Sequence, residues 1–171
     1  LIVVFLLLIF YDLFASDNAK KYYFPVACGI FLIHTVFCFF IKDDGSSFAG
    51  MYVTGPAYLT IKNILNIGVF LIFLQANSWL KKPDSILKRG EFFMLTTLTL
   101  IGMYLMISSG NFLLFYIGLE TASLPIAALV AFNKYKKESA EAGAKYIFNA
   151  IFSSAIMTFG LSFLYGACGT L

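Results

Sequence analysis

Six apolar runs separated by short polar connections constrain this 171-residue chain more than any other feature. The runs cover residues 1–15, 22–41, 58–80, 92–108, 111–132 and 143–166. A helix needs roughly 20 apolar residues to cross the hydrocarbon core of a bilayer. Five of the six runs reach or approach that length. Inside hydrocarbon every backbone N–H and C=O must find its partner within the protein, so such runs fold as transmembrane helices. The expected fold class is therefore all-α, a polytopic transmembrane helical bundle of about six helices. Composition agrees. Hydrophobic residues make up 60% of the chain and charged residues 12%, against about 25% charged in an ordinary soluble domain. That excludes a soluble globular domain and a disordered chain. The net charge of +3 is small and scattered, which excludes a nucleic-acid-binding surface.

The first run is short for a span, and the chain opens with Leu1. No basic segment precedes it and no small-residue cleavage site follows it, which argues against a signal peptide. It reads as the C-terminal part of a spanning helix, and the chain as a fragment.

Charge in the connections sets the expected orientation. The connections at residues 16–21, 81–91 and 133–142 carry nine of the twelve Lys and Arg residues. The connections at 42–57 and 109–110 carry only Lys42. Cytoplasmic loops are enriched in Lys and Arg. The N-terminus is thus expected outside and the three basic loops in the cytoplasm, with the chain crossing the cell's inner or plasma membrane.

The cysteines Cys28, Cys38 and Cys168 form no C-x-x-C pair, so neither a zinc site nor a redox dithiol is expected. No phosphate loop and no dinucleotide fingerprint occurs. No cofactor or metal is expected in this chain.

Chemistry is more legible in the charges buried within the apolar runs, because each is costly there and points to function by default. Glu120 lies near the middle of its segment. A carboxylate at that depth costs about 2.5–3.5 kcal/mol on insertion scales. It needs a cation, a wet cavity or a proton, and any of these suits a proton carrier. Pro125, five residues on, removes a backbone donor in mid-helix and is expected to kink it. Ser123 and Thr121 add hydroxyls. Lys145 sits close to the end of its segment, four residues after Glu141, the favourable orientation for an ion pair along a helix. The segment boundaries place it roughly 15 Å from Glu120 in depth, too far for a direct salt bridge. His34 suits proton transfer by its titration range, but a lone intramembrane histidine also suits packing. Lys62 is near the outer end of its run and is expected to snorkel to the interface. Asp12 is expected at the interface too. Tyr22, Tyr23, Tyr58, Trp79 and Tyr165 read as an interfacial aromatic belt. Ser153, Ser154, Ala155, Gly160 and Ser162 read as close helix packing.

The stretch Gly118-Leu119-Glu120-Thr121-Ala122-Ser123-Leu124-Pro125 resembles the G-[IL]-E-L-x-S-L-P pattern of the antiporter-like membrane subunits of respiratory complex I, the proton-translocating NADH:quinone oxidoreductases. Glu141-Ala142-Gly143-Ala144-Lys145-Tyr146 is similar to the E-A-x-x-K-Y that opens the next helix in the N type. Leu119 before Glu120 and Tyr146 after Lys145 favour the N type over its M and L sisters.

The resemblance implies a parent fold of about fourteen helices built from two inverted five-helix bundles. Residues 1–91 would be peripheral helices 1–3 with their loops, and residues 92–171 the start of the first proton-channel bundle, helices 4–6. It implies that Glu120 is a proton relay paired with a lysine beyond residue 171, and that Lys145 is a secondary relay or a tuning charge. It also implies partners: the neighbouring membrane-arm subunits and the lipid bilayer. NADH, FMN, iron–sulfur clusters and quinone would be handled by other subunits. Two rival readings remain at this point. One is a related subunit of a cation/proton antiporter or membrane-bound hydrogenase. The other is a non-catalytic scaffold in which Glu120 only holds helices together.

Overall fold

A computed structural model describes residues 1–14, 22–81, 88–133 and 135–169. Each apolar run is a helix: α1 (Ile2–Phe14), α2 (Tyr23–Phe40), α3 (Pro56–Leu80), α4 (Arg89–Ile107), α5 (Phe112–Val130) and α6 (Lys137–Cys168). The helices α2 to α6 are long and apolar enough to span a bilayer, and α1 is shorter. The connection at residues 16–21, most of that at 81–91, and Lys134 lie outside the described residues.

Local chemistry explains the helix ends. Pro56 occupies the first turn of α3, where its missing N–H costs nothing. Asn111 caps α5 by accepting from the Leu114 N–H at 2.9 Å, pairing a donor that the helix leaves open. Gly169 closes α6 in the left-handed conformation, φ 73°, where glycine carries no Cβ penalty. One boundary differs from expectation. The last helix starts at Lys137, not at residue 143, because its polar first turns are good helix formers in water.

The 42–57 connection also holds more structure than its polar composition suggested. It forms a hairpin, β1 (Gly45–Ser47) and β2 (Tyr52–Thr54), paired antiparallel with Ser46 opposite Val53. Its tip places Phe48 and Ala49 at positive φ, 53° and 55°, a conformation that costs a non-glycine residue about 1–2 kcal/mol. The hairpin docks on the turn between α4 and α5. Val53 N–H donates to Ser108 O at 2.8 Å, and Gly110 N–H donates to Met51 O at 2.6 Å. At the opposite end of the bundle, Arg89 Nε donates to Leu80 O at 2.9 Å and Lys88 Nζ to Phe132 O at 3.3 Å. Cations thus meet the open carbonyls where α3 and α5 end, which the helix dipoles favour. These contacts put the hairpin and the α4–α5 turn at one end, and the described parts of the 81–91 and 133–142 connections at the other. This is the alternation that the charge pattern requires.

The core lies among α1, α2, α3 and α4. Tyr23, Phe31, Phe73, Phe93, Leu8 and Leu100 are fully buried. Phe73 sits edge-on to Phe93 at 4.6 Å and to Phe31 at 5.0 Å between ring centroids, an arrangement aromatic pairs prefer. Tyr23 is therefore not a belt residue. It is buried and its hydroxyl donates to Leu8 O at 3.1 Å. Buried Thr97 returns its hydroxyl to the Phe93 carbonyl one turn back, at 2.7 Å, which pairs the hydroxyl inside an apolar layer.

Beyond this core, α5 packs on α4 and α6 packs on α5. Gly102 of α4 and Gly118 of α5 meet backbone to backbone. A Cβ on Gly118 would stand 2.7 Å from Met106 N and 2.9 Å from Gly102 O. With Ala122 buried one turn beyond Gly118, this is the small-xxx-small contact of membrane helices.

Candidate functional site

The Gly118–Ala122 edge of α5 faces α4, and two residues along a helix turn the side chain by roughly 200°. Tyr116 and Glu120, offset by two positions from Gly118 and Ala122, therefore present to the opposite side. There they meet α6. The Ser154 hydroxyl hydrogen-bonds the Glu120 carboxyl oxygen Oε1 and lies 3.2 Å from the Tyr116 hydroxyl. Ser154 is buried and Glu120 is half-buried. Each hydroxyl carries one proton, so Tyr116 donates to Ser154 when Ser154 donates to Glu120. The three groups form a short chain, Tyr116–Ser154–Glu120, each able to accept one proton and pass on another.

Pro125 is buried one helical face away from Glu120, within an α5 that remains helical from Phe112 to Val130. Its ring removes the donor that would pair the Thr121 carbonyl. The Thr121 hydroxyl donates back to Ile117 O at 2.7 Å, and Ser123 donates to Glu120 O at 3.3 Å. These hydroxyls serve backbone carbonyls and do not bond to the carboxyl.

Lys145 is not part of this constellation. Its ammonium pairs with Glu141 at 2.6 Å, one turn earlier on α6, and its side chain is 73% exposed. That is the local pair the spacing anticipates, and Glu120 takes its bond from Ser154 instead. His34 lies on α2 with Cys38 Sγ 3.5 Å from Nε2 and the Phe31 ring beside it at 6.1 Å. Asp12 is half-buried against Gly90, in the first turn of α4.

Lys62 departs from expectation. It does not snorkel, and only 5% of it is exposed. Nζ donates to Tyr52 Oη at 3.0 Å and to Ser108 Oγ at 2.5 Å. It also lies 5.0 Å from the Tyr52 ring centre and 5.3 Å from that of Tyr104. The docked hairpin closes over the lysine, which turns an interfacial position into an interior one. A neighbouring pair continues the polar cluster, with Tyr104 Oη donating to Asn66 Oδ1 at 2.7 Å.

The sequence presents Ser154 as one of a stripe of packing residues. Among the described residues of that stripe it is the buried one, while Ser153, Ala155, Gly160 and Ser162 are exposed. Tyr116 was detectable from sequence, since it stands one turn from Glu120 on the same face. Nothing in the α6 sequence singles out Ser154 as its partner.

Comparison with known proteins agrees with this architecture. A family model described as NADH:quinone oxidoreductase/Mrp antiporter, TM matches residues 109–171, the part that holds α5 and α6. A protein of Phocaeicola vulgatus named NADH-quinone oxidoreductase subunit N is 48% identical over 171 residues, covering 100% of this chain and 36% of that protein. One of the same name from Azobacteroides pseudotrichonymphae is 45% identical, covering 99% of this chain and 36% of its own length. A third, from Neisseria gonorrhoeae, is 34% identical over 100% of this chain and 36% of its own length. The chain thus spans about a third of the length of these relatives.

The multi-pass helical bundle, matched over α5 and α6 by that family model, puts the chain in the class of antiporter-like membrane subunits. Within that class, the chain belongs to the subunit N family of NADH-quinone oxidoreductase.

Proposed function

We propose that this chain is part of a membrane-arm subunit that carries protons across the membrane, coupled to NADH oxidation and quinone reduction in other subunits. The observation that supports it best is Glu120: a carboxyl in the middle of a spanning helix, bonded to a buried hydroxyl and adjoining a second one. Glu120 acts as the relay. A proton arriving at Oε1 converts the carboxylate to the neutral acid. It leaves when a cation approaches, and the resemblance supplies that cation as a lysine beyond residue 171. Ser154 and Tyr116 orient the carboxyl and extend its reach by two hydroxyls. Lys145, exposed and already paired, acts as a secondary relay or as a charge that tunes the entry side. Residues 1–91 serve as peripheral helices and residues 92–171 as the start of the first channel bundle.

In this reading the basic loops face the cytoplasm, the N-terminus faces outside, and the membrane is the bacterial inner membrane. The nine-to-one distribution of Lys and Arg between the two sets of connections supports that orientation. Neighbouring membrane-arm subunits are the partners. FMN, iron–sulfur clusters and quinone are handled elsewhere in the complex.

The test is Glu120→Gln in the complete complex. The expected result is assembly with NADH oxidation and a reduced number of protons moved per NADH. A normal ratio in that variant would falsify the relay. Poor assembly with a normal ratio in what does assemble identifies the carboxyl as helix glue instead.

A further inference from the structure

Lys62 takes no part in the Glu120 site, and its surroundings are unusual for a cation within a spanning helix. Among the described residues no carboxylate lies within ion-pair distance of it, the Glu141–Lys145 pair being elsewhere. Among the described residues its charge is offset by two hydroxyl oxygens, two tyrosine faces and the carbonyl end of α4, whose C-cap is Ser108. A helix end supplies about half a charge. That offset holds an ammonium in place but leaves it no fixed counter-charge. The two hydrogen bonds need only a neutral donor, and glutamine would serve, so the positive charge is more than a structural tie requires.

The groups around Lys62 form a path. Tyr52 belongs to the hairpin and is half-buried, whereas Ser108, the other hydrogen-bond partner of the ammonium, is fully buried, so Tyr52 is the partner nearer the water at that end of the bundle. On the inner side lie Tyr104 and Asn66. Asn66 is fully buried, and its Nδ2 is a donor with no acceptor among the described residues. A buried amide donor left open in this way can be paired by an ordered water. From α2 the titratable group in electrostatic reach of Lys62 is Cys38.

We propose that Lys62 is a second proton-exchange site of this chain, releasing its proton through the hydroxyl of Tyr52 to the hairpin face. The Nζ–H bond breaks as a new O–H bond forms on Tyr52, and the proton that Tyr52 already carried passes to water. Tyr52 ends unchanged, Lys62 ends as the neutral amine, and one proton has moved outward. The inference rests on the reading of the chain as part of a proton-translocating subunit.

The test uses the complete complex in membrane vesicles, measuring protons moved per NADH oxidised. Tyr52→Phe keeps the ring and removes the relay oxygen. Lys62→Gln keeps a donor and removes the charge. Lys62→Arg keeps the charge and cannot give up its proton. The expected result is a ratio at least halved in all three, with assembly and NADH oxidation retained. A normal ratio in Lys62→Arg overturns the inference, since charge alone then suffices. A normal ratio in Tyr52→Phe or Lys62→Gln overturns it as well, as does failure of all three to assemble. Glu120→Gln, run alongside, separates the two readings. If it lowers the ratio while the Lys62 and Tyr52 variants do not, only the second site falls. If it too leaves the ratio normal, the proton-carrying reading falls.

Discussion

Gly118→Ala is the substitution whose cost follows most directly from the backbone. The added methyl would stand 2.7 Å from Met106 N and 2.9 Å from Gly102 O, where ordinary contact begins at 3.4 Å. Both obstructing atoms are main chain, so no rotamer change makes room. The two helices must part by roughly 0.7 Å, and overpacking of this kind costs about 1–3 kcal/mol. Alanine in a helix returns at most about 1 kcal/mol relative to glycine. Gly160→Ala is the matched control, because nothing lies within 4 Å of a Cβ at that position of α6. It carries the same propensity gain and no overlap. The difference between the two variants therefore isolates the crossing and is expected at about 1–3 kcal/mol, with Gly118→Ala the less stable. Thermal unfolding of the purified complex, followed by loss of this subunit from the assembly, measures it. Equal melting of the two variants would refute the claim that the α4–α5 contact is set by backbone approach.

The remaining predictions concern the polar groups. Ser154→Ala removes the hydrogen bond to Glu120, worth about 1–1.5 kcal/mol. Vesicle acidification should slow by up to about tenfold, with Ser154→Thr retaining the wild-type rate. An unchanged rate in the alanine variant counts against the hydroxyl chain. Glu141→Gln breaks the exposed ion pair that Glu141 makes with Lys145, one turn further along α6. The melting temperature should respect a stability change below about 1 kcal/mol that shrinks further as salt is added. A larger, salt-insensitive loss would mean that the pair is buried in the assembled protein.

The spans were legible from sequence because hydropathy is a local property. A run of 17 or more apolar residues must form a helix in hydrocarbon whatever it packs against. The two sides of the membrane alternate with each span, so the clustering of Lys and Arg in alternate connections followed from the same count, and the hairpin's docking on the α4–α5 turn agrees with it. Helical period also placed Glu120 on the face of α5 opposite Gly118, since two residues rotate a side chain by roughly 200° whatever the neighbours are. The ion pair of Glu141 with Lys145 was legible for the same reason, because both partners lie on one helix.

Tertiary structure decided whatever depends on residues far apart in the chain. Lys62 reads as an interfacial lysine until a hairpin ten residues earlier folds over it and Ser108, 46 residues later, accepts a hydrogen bond from it. Tyr23 reads as an interfacial tyrosine until α1 offers it the carbonyl of Leu8. Ser154 reads as one small residue among several until α6 crosses α5 at the level of Glu120. Which face of a helix is apolar is written in its own period, but which neighbour meets that face depends on how the helices pack, and with it which buried charge acquires a partner.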